Sequence, residues 1–236
     1  PMAPVRHVPN PMADPVLECV GVTKRFGGVT AVDHVDLAIR PATIVGLVGQ
    51  NGAGKTTLLD CVSGFHRLDG GRLVLRGTDV TDWAPWERAR GRMGRSFQEA
   101  RLFPSLTVAE TVAVAYERNV ASRSMVADVL RQPASYEAEL ATSRRVDEIL
   151  DLLNLDEHRA KLTSQLSTGM RRIVELACLL AADPVVLLLD EPSAGVAQRD
   201  AEALAPLLMR VRDTTGAALV VIEHDMPLLR SMCDEM

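Results

Sequence analysis

The stretch TIVGLVGQNGAGKTTLLDCVSG, Thr43 to Gly64, decides the fold. It opens on an apolar run of the kind that fills a buried strand. Gly49, Gly52 and Gly54 follow within six positions, and then comes a helix-like run from Lys55. Gly49-x-x-x-x-Gly54-Lys55-Thr56 matches the phosphate-binding loop pattern in full. Glycines at these places let backbone N–H groups of Asn51, Gly52, Ala53 and Gly54 turn inward on phosphate oxygens. The helix that follows, through Thr56 and Thr57, adds its positive end.

Working outward, VLECVGV (Val16–Val22) and HVDLAIR (His34–Arg40) read as strands, with TKRFGGVTAVD connecting them. GRLVLRG, flanked by glycines, is a further strand. From about Leu106 to Leu162 the composition turns helical, and Val146, Ile149, Leu150 and Leu153 keep the i, i+3, i+4, i+7 period. Met125 to Leu140 reads as extra helix broken at Pro133. VVLLLDEP (Val185–Pro192) is a fully buried strand ending in two acids. Leu204, Leu207, Leu208 and Val211 mark a helix in which Pro206 predicts a kink or a late start. ALVVIEHD is the next strand, and MPLLRSMCDEM a final helix. Repeated strand–helix alternation predicts an α/β fold with a largely parallel sheet and its ligand at the carboxyl ends of the strands. The polar ends GQNG, DEP and EHD then meet at one edge.

Bulk properties narrow the function classes. The 236 residues suit one α/β domain with a subdomain. A formal net charge of −5 disfavours a whole-surface attraction to nucleic acid. RARGRMGR, Arg88 to Arg95, is the one local basic run, and its ordinary reading is a solvated helix end and loop. The four cysteines form no C-x-x-C pair, which disfavours zinc or redox chemistry, and read as small buried hydrophobes in a reducing compartment. No uninterrupted apolar run reaches the roughly 18 residues of a membrane helix. Any membrane link is therefore expected through a partner or a further part of the chain. Residues 1–15, rich in proline and without period, read as a linker or arm; the first residue, Pro1, suggests a chain cut from something longer.

Several polar residues stand where nucleotide chemistry needs them. Lys55 is placed to reach β- and γ-phosphates, and the Thr56 hydroxyl to bind Mg²⁺. Asp190, at the end of its strand, is the metal-holding carboxylate of such sites. Glu191 can orient or deprotonate an attacking water. His224, at the end of the next strand, can donate a ring N–H to developing charge on the γ-phosphate. Gln98, in GRSFQ, is a candidate bridge between magnesium, water and the helical segment.

In this order the residues resemble the ATP-binding cassette (ABC) ATPases, from about Val16 to Met236. The likeness rests on the phosphate loop, Gln98, LSTGM (Leu166–Met170), the VVLLLDE strand and His224. It implies a P-loop NTPase fold: a mixed or parallel sheet core, an antiparallel β subdomain, and a helical subdomain inserted over about 99–182. It also implies that Phe26 stacks on adenine, and that Ser167 and Gly169 contact the γ-phosphate held by a second cassette. Two cassettes, a homodimer or a pair, would then close head to tail on two ATP with Mg²⁺. They would drive a permease, separate or fused, from the cytoplasmic face of the membrane. Nucleic acid is not an expected partner. KRFGGVTAVD, LFPSLTVAETV, the long insert and EPSAG resemble ATPases of the branched-chain amino-acid importer type.

Departures accompany the likeness. The family's usual signature is LSGGQ; here Thr168 and Met170 occupy the third and fifth positions. Thr168 is expected to crowd the phosphate path. Ser193-Ala194-Gly195-Val196 replaces the usual S-A-L-D, removing an expected cross-dimer aspartate. The family's usual strand pair and helical tail after the helix at Met226 are not in this sequence, which predicts an exposed sheet edge. Two alternatives to the transporter motor therefore stand: a cassette that binds ATP with little hydrolysis, and a non-transport ABC ATPase. No N-K-x-D motif supports a GTPase.

Overall fold

The computed structural model describes residues 13–97, 102–117, 133–195 and 198–236. Strands β1 (Leu17–Phe26), β2 (Val29–Ile39), β4 (Gly70–Leu75) and β5 (Thr78–Asp79) form an antiparallel sheet in the order β2-β1-β4-β5. Strands β3 (Ile44–Leu47), β6 (Met93–Arg95), β7 (Val186–Asp190) and β8 (Ala218–Ile222) form a parallel sheet in the order β3-β8-β7-β6. The helices are α1 (Lys55–Ser63), α2 (Pro85–Arg90), α3 (Val108–Glu117), α4 (Pro133–Leu152), α5 (Thr168–Ala181), α6 (Gln198–Thr215) and α7 (Met226–Met232).

The parallel sheet is buried on both faces, which explains why its strands read as unbroken apolar runs. In β7, Leu187 and Leu189 point into a core shared with α3 to α7, while Val186 and Leu188 point into a second core against α1 and the antiparallel sheet. Strand β8 splits likewise, Leu219 and Val221 to one side, Ala218, Val220 and Ile222 to the other. Period-two alternation therefore serves two cores at once. Each fully buried Leu, Ile or Val contributes about 1.5–3 kcal/mol of apolar burial. Val146, Ile149, Leu150 and Leu153 sit in the first core, so the helical period identified a true buried face of α4.

Three local expectations change. Strand β2 starts at Val29, not His34: the connection TKRFGGVTAVD is a hairpin in which Phe26 pairs with Val29 across Gly27 and Gly28. Helix α6 continues through Pro206, which is exposed, while Leu204, Leu207, Leu208 and Val211 on its other side are buried and hold it. The last helix ends at Met232, and the chain turns to run beside β3. Val45 and Glu235 form a parallel bridge, Asp234 donates its N–H to Ile44 O at 2.8 Å, and Gly46 donates to Glu235 O at 2.9 Å. Asp234 anchors the turn, accepting the Ile44 N–H at 2.8 Å and pairing with Arg212 at 3.0 Å. The sequence predicts an exposed sheet edge, and the edge of β3 is instead lined by this chain's own last residues. A helix does begin at Pro133, where its missing N–H is not needed, while the stretch of expected helix before it, residues 125–132, lies outside the described residues.

The basic run is solvated only in part: Arg90 is exposed and Arg92 half-exposed, whereas Arg88 and Arg95 are not. Arg88 is buried and donates to the carbonyls of Cys61, Val62, Thr81 and Trp83, tying the end of α1 to α2. Arg90 lies over the Trp86 ring, Arg92 pairs with Asp183, and Arg95 is engaged in the site described next. Of the cysteines, Cys19 and Cys61 are buried and Cys178 and Cys233 half-buried. Among the described residues no helix is long and apolar enough to cross a membrane.

Candidate functional site

Strands β3, β8 and β7 are neighbours, and their carboxyl ends lie side by side: Leu47 and Asp190 both pair with Ile222. The loop after β3, the acids after β7 and the histidine after β8 therefore open on one edge of the sheet.

The loop caps α1. Gly54 is its N-cap residue in the left-handed region, φ 85°. A β-carbon there would stand 2.1 Å from the Ala31 carbonyl oxygen on β2. Only glycine fits, because backbone cannot move aside as a flexible side chain can. Lys55 bends back over the loop, its Nζ donating to Gly49 O at 2.7 Å and Gln50 O at 3.0 Å. Asn51, Gly52, Ala53 and Thr56 are exposed and Thr57 is half-buried. A cationic side chain and a helix N-terminus thus border one turn of backbone, the arrangement that binds phosphate.

Asp190 is 1% exposed. Its N–H is donated to Ser96 Oγ at 3.1 Å, and its Oδ2 lies 3.4 Å from Arg95 Nη2. Burial pushes its carboxyl pKa up, and Arg95 and the Thr56 hydroxyl draw it part of the way back. Arg95 also pairs with Asp60 of α1 at 2.9 Å. Oδ1 of Asp190 is buried without a hydrogen-bond partner among the described residues. Among those residues no group of three or more His, Cys, Asp or Glu side chains is placed to hold a metal. One carboxylate oxygen and one hydroxyl, completed by phosphate and water, is the ordinary protein share of a Mg²⁺ site. The Thr56–Asp190 pair, with its unpartnered oxygen, fits that share.

Glu191 adopts φ 48° and donates its N–H to Ile222 O at 2.9 Å. A non-glycine residue in this region costs about 1–3 kcal/mol and persists where the surroundings over-determine it. The conformation turns the side chain so that Oε1 lies 2.9 Å from His224 Nε2. Both side chains are partly open to solvent, 30% for Glu191 and 48% for His224. A carboxylate and an imidazole in contact can share the handling of a proton at an attacking water.

Phe26, 45% exposed at the end of β1, meets the His66 ring edge-to-face at 5.2 Å, and Lys24 Nζ lies 5.3 Å from its centroid. Ser167 is the N-cap of α5, its hydroxyl accepting the Met170 N–H at 3.3 Å, and Gly169 is half-buried in the first turn. Gln98 lies outside the described residues. Sequence reading missed Arg95, Asp60 and Glu223. Arg95 and Asp60 are 35 positions apart and no local spacing signals their meeting; Glu223 reads as one more polar residue after a strand.

A family model described as "ABC transporter" matches residues 32–194. The chain belongs to the ABC transporter family. It is an ATP-binding cassette, an ATPase whose hydrolysis is coupled to transport. The cassette is 33% identical over 225 residues to the high-affinity branched-chain amino acid transport ATP-binding protein BraF of Pseudomonas aeruginosa, covering 95% of this chain and 88% of that one. It is 34% identical, with the same coverages, to the corresponding protein LivG of Escherichia coli. Among solved structures it resembles a nucleotide-free ATP-binding cassette from an ABC transporter, with a TM-score of 0.77 and 25% identity over 93% of this chain and 85% of that one.

Proposed function

We propose that this cassette powers an importer of the branched-chain amino-acid type, working as one of two cassettes that close on Mg–ATP beneath a permease at the cytoplasmic face of the membrane. The observation that carries the reading is the Glu191–His224 contact at 2.9 Å, set at the ends of adjacent strands beside the phosphate loop.

In this reading the loop from Gly49 to Thr57 holds the phosphates, and Lys55 exchanges its two carbonyl partners for β- and γ-oxygens. Phe26 stacks on adenine, with His66 at its edge. Thr56, Asp190 and Gln98 would hold magnesium, which when bound would supply neutralisation of phosphate charge. Glu191 takes the proton of the attacking water, and His224 keeps that carboxylate oriented and donates to the γ-phosphate. Ser167 and Gly169 serve the nucleotide bound by the second cassette. Phe65 and Trp86, both about half exposed, are the apolar side chains the permease would cover; Phe65 meets the Phe97 ring edge-to-face at 5.5 Å.

The burial of Arg88 and Arg95 within the fold weighs against the nucleic-acid alternative. Thr168 and Met170 in the signature favour the alternative of ATP binding with little hydrolysis. Mg–ATP turnover measured against protein concentration separates the readings. A specific rate that climbs with concentration, and is lost in Glu191→Gln, supports paired hydrolysing cassettes. A flat negligible rate with ATP still bound supports the binding module. Leucine uptake into vesicles carrying the permease, dependent on this cassette, tests the cargo class.

A further inference from the structure

Glu223 lies between the last residue of β8 and His224 and is 5% exposed. A carboxylate this deeply buried needs strong partners. Its partners here are two backbone amides. Oε1 accepts the Ser193 N–H at 2.7 Å, and Oε2 accepts the His224 N–H at 3.3 Å. Ser193 is two residues beyond Glu191, in the turn closed by the Ala194 N–H on Glu191 O at 2.9 Å.

The turn that carries Glu191 is thus fastened to the end of β8 twice. One tie is the Glu191 N–H on the Ile222 carbonyl at 2.9 Å. The other is the Glu223 carboxylate, which grips the turn with one oxygen and the backbone of His224 with the other. Without the second tie the turn keeps the Glu191 N–H bond to Ile222 and the Glu191–His224 side-chain contact, and the left-handed conformation at Glu191 loses part of what enforces it.

We infer that Glu223 is a positioning residue: it sets the Glu191 carboxylate against His224 by clamping the two backbones that carry them. The inference rests on the reading of Glu191 and His224 as the working pair. It gives a buried acid that touches no substrate a definite task in turnover. It also predicts the chemistry of its replacements. Glutamine keeps one carbonyl oxygen able to accept the Ser193 N–H, whereas alanine removes both acceptors.

The test compares Glu223→Gln and Glu223→Ala with wild type, in the wild-type and His224→Ala backgrounds. The expected result for Glu223→Ala is a kcat lower by about tenfold with KM for ATP within about twofold, the mark of a contribution made only in the transition state. Glu223→Gln should recover most of that loss. In the His224→Ala background, Glu223→Ala should add less than about a twofold effect, because residues acting as one unit are not additive. Equal losses in both backgrounds, or a loss that matches only the folded fraction measured by circular dichroism, overturns the inference. So does a Glu223→Gln no better than Glu223→Ala while its melting temperature matches wild type. Glu191→Gln assayed in parallel keeps the two levels apart. Undiminished turnover there overturns the role of Glu191 itself; collapse there with a full-rate Glu223→Ala overturns the positioning role alone.

Discussion

Thr168 and Gly195, two positions at which this cassette departs from its family's usual sequence, meet in the structure. A β-carbon on Gly195 would lie 3.5 Å from Thr168 Cγ2. The methyl expected to crowd the phosphate path is thus directed at the chain's own loop after Pro192. Gly195 itself has φ 73°, a conformation disfavoured for any other residue. At that distance a β-carbon would make only an ordinary contact, so the left-handed backbone at 195, not crowding by Thr168, is what favours glycine there.

Replacing Gly195 with alanine should therefore destabilise the cassette by about 1–2 kcal/mol through backbone strain alone. Thr168→Gly, at the exposed first turn of α5, should shift stability by no more than about 1 kcal/mol. Urea midpoints measure both. A Gly195→Ala midpoint equal to wild type would mean that the loop relaxes freely and that the Thr168 contact places nothing.

Lys55 and Glu191 separate binding from turnover. Lys55→Ala removes the loop's cation and should weaken ATP affinity by at least about tenfold, as loss of a charge-assisted contact implies. Glu191→Gln leaves the loop intact and should keep affinity within about threefold while abolishing turnover. Equilibrium binding of a fluorescent ATP analogue and phosphate release assign each effect. ATP affinity unchanged in Lys55→Ala would remove the lysine from the phosphate site.

The strands at the centre of the fold were legible because they are buried on both faces, and unbroken runs such as VVLLL permit little else. The phosphate loop was legible because its glycines, lysine and threonine stand within one short run between a strand and a helix, although the clash that demands glycine at 54 comes from Ala31 on another strand. What escaped were relations between distant segments. The hairpin at Gly27 was hidden by polar residues on exposed positions of β2, where alternation is half masked. The course of the last residues depends on Asp234 meeting Arg212 and Ile44, neither of them near in sequence. Arg88 looked like surface charge because its partners are backbone carbonyls, which carry no side-chain signature. Glu223 went unnoticed for the same reason.

The cysteines give a prediction about reactivity. Burial pushes the thiol pKa up to about 12 for Cys19 and Cys178, and up to about 11 for Cys61 and Cys233. A raised thiol pKa keeps the reactive thiolate scarce until the pH approaches it; at pH 8 and a pKa near 11 only about one thiol in a thousand is ionised. Iodoacetamide at pH 8 should therefore label the folded cassette slowly and the urea-unfolded chain at all four positions. Rapid labelling of Cys178 or Cys233 in the folded protein would show that these half-buried thiols open to solvent.

Arg95 gives the most demanding prediction. Its side chain is 8% exposed and lies between Asp60 at 2.9 Å and Asp190 at 3.4 Å, with burial drawing its own pKa down. Arg95→Met would leave Asp190, at 2% side-chain exposure, without that cation. Removing one partner of a buried ion pair costs about 3–5 kcal/mol, because the remaining charge stays desolvated. Asp60 is more open, so the lower end of that range is expected. Both carboxylates are met through the one nitrogen Nη2, so Arg95→Lys, whose ammonium also carries several N–H donors on one nitrogen, should recover most of the loss. The second consequence concerns the metal. With Arg95 gone, the Asp190 carboxylate loses the contact that orients Oδ2, and the Mg²⁺ concentration for half-maximal ATP binding should rise. Titrating Mg²⁺ into protein and a fluorescent ATP analogue, with urea unfolding alongside, reads both effects. A large stability loss with an unchanged Mg²⁺ requirement would confine Arg95 to the core, and an unchanged midpoint would mean the pair is solvated in solution.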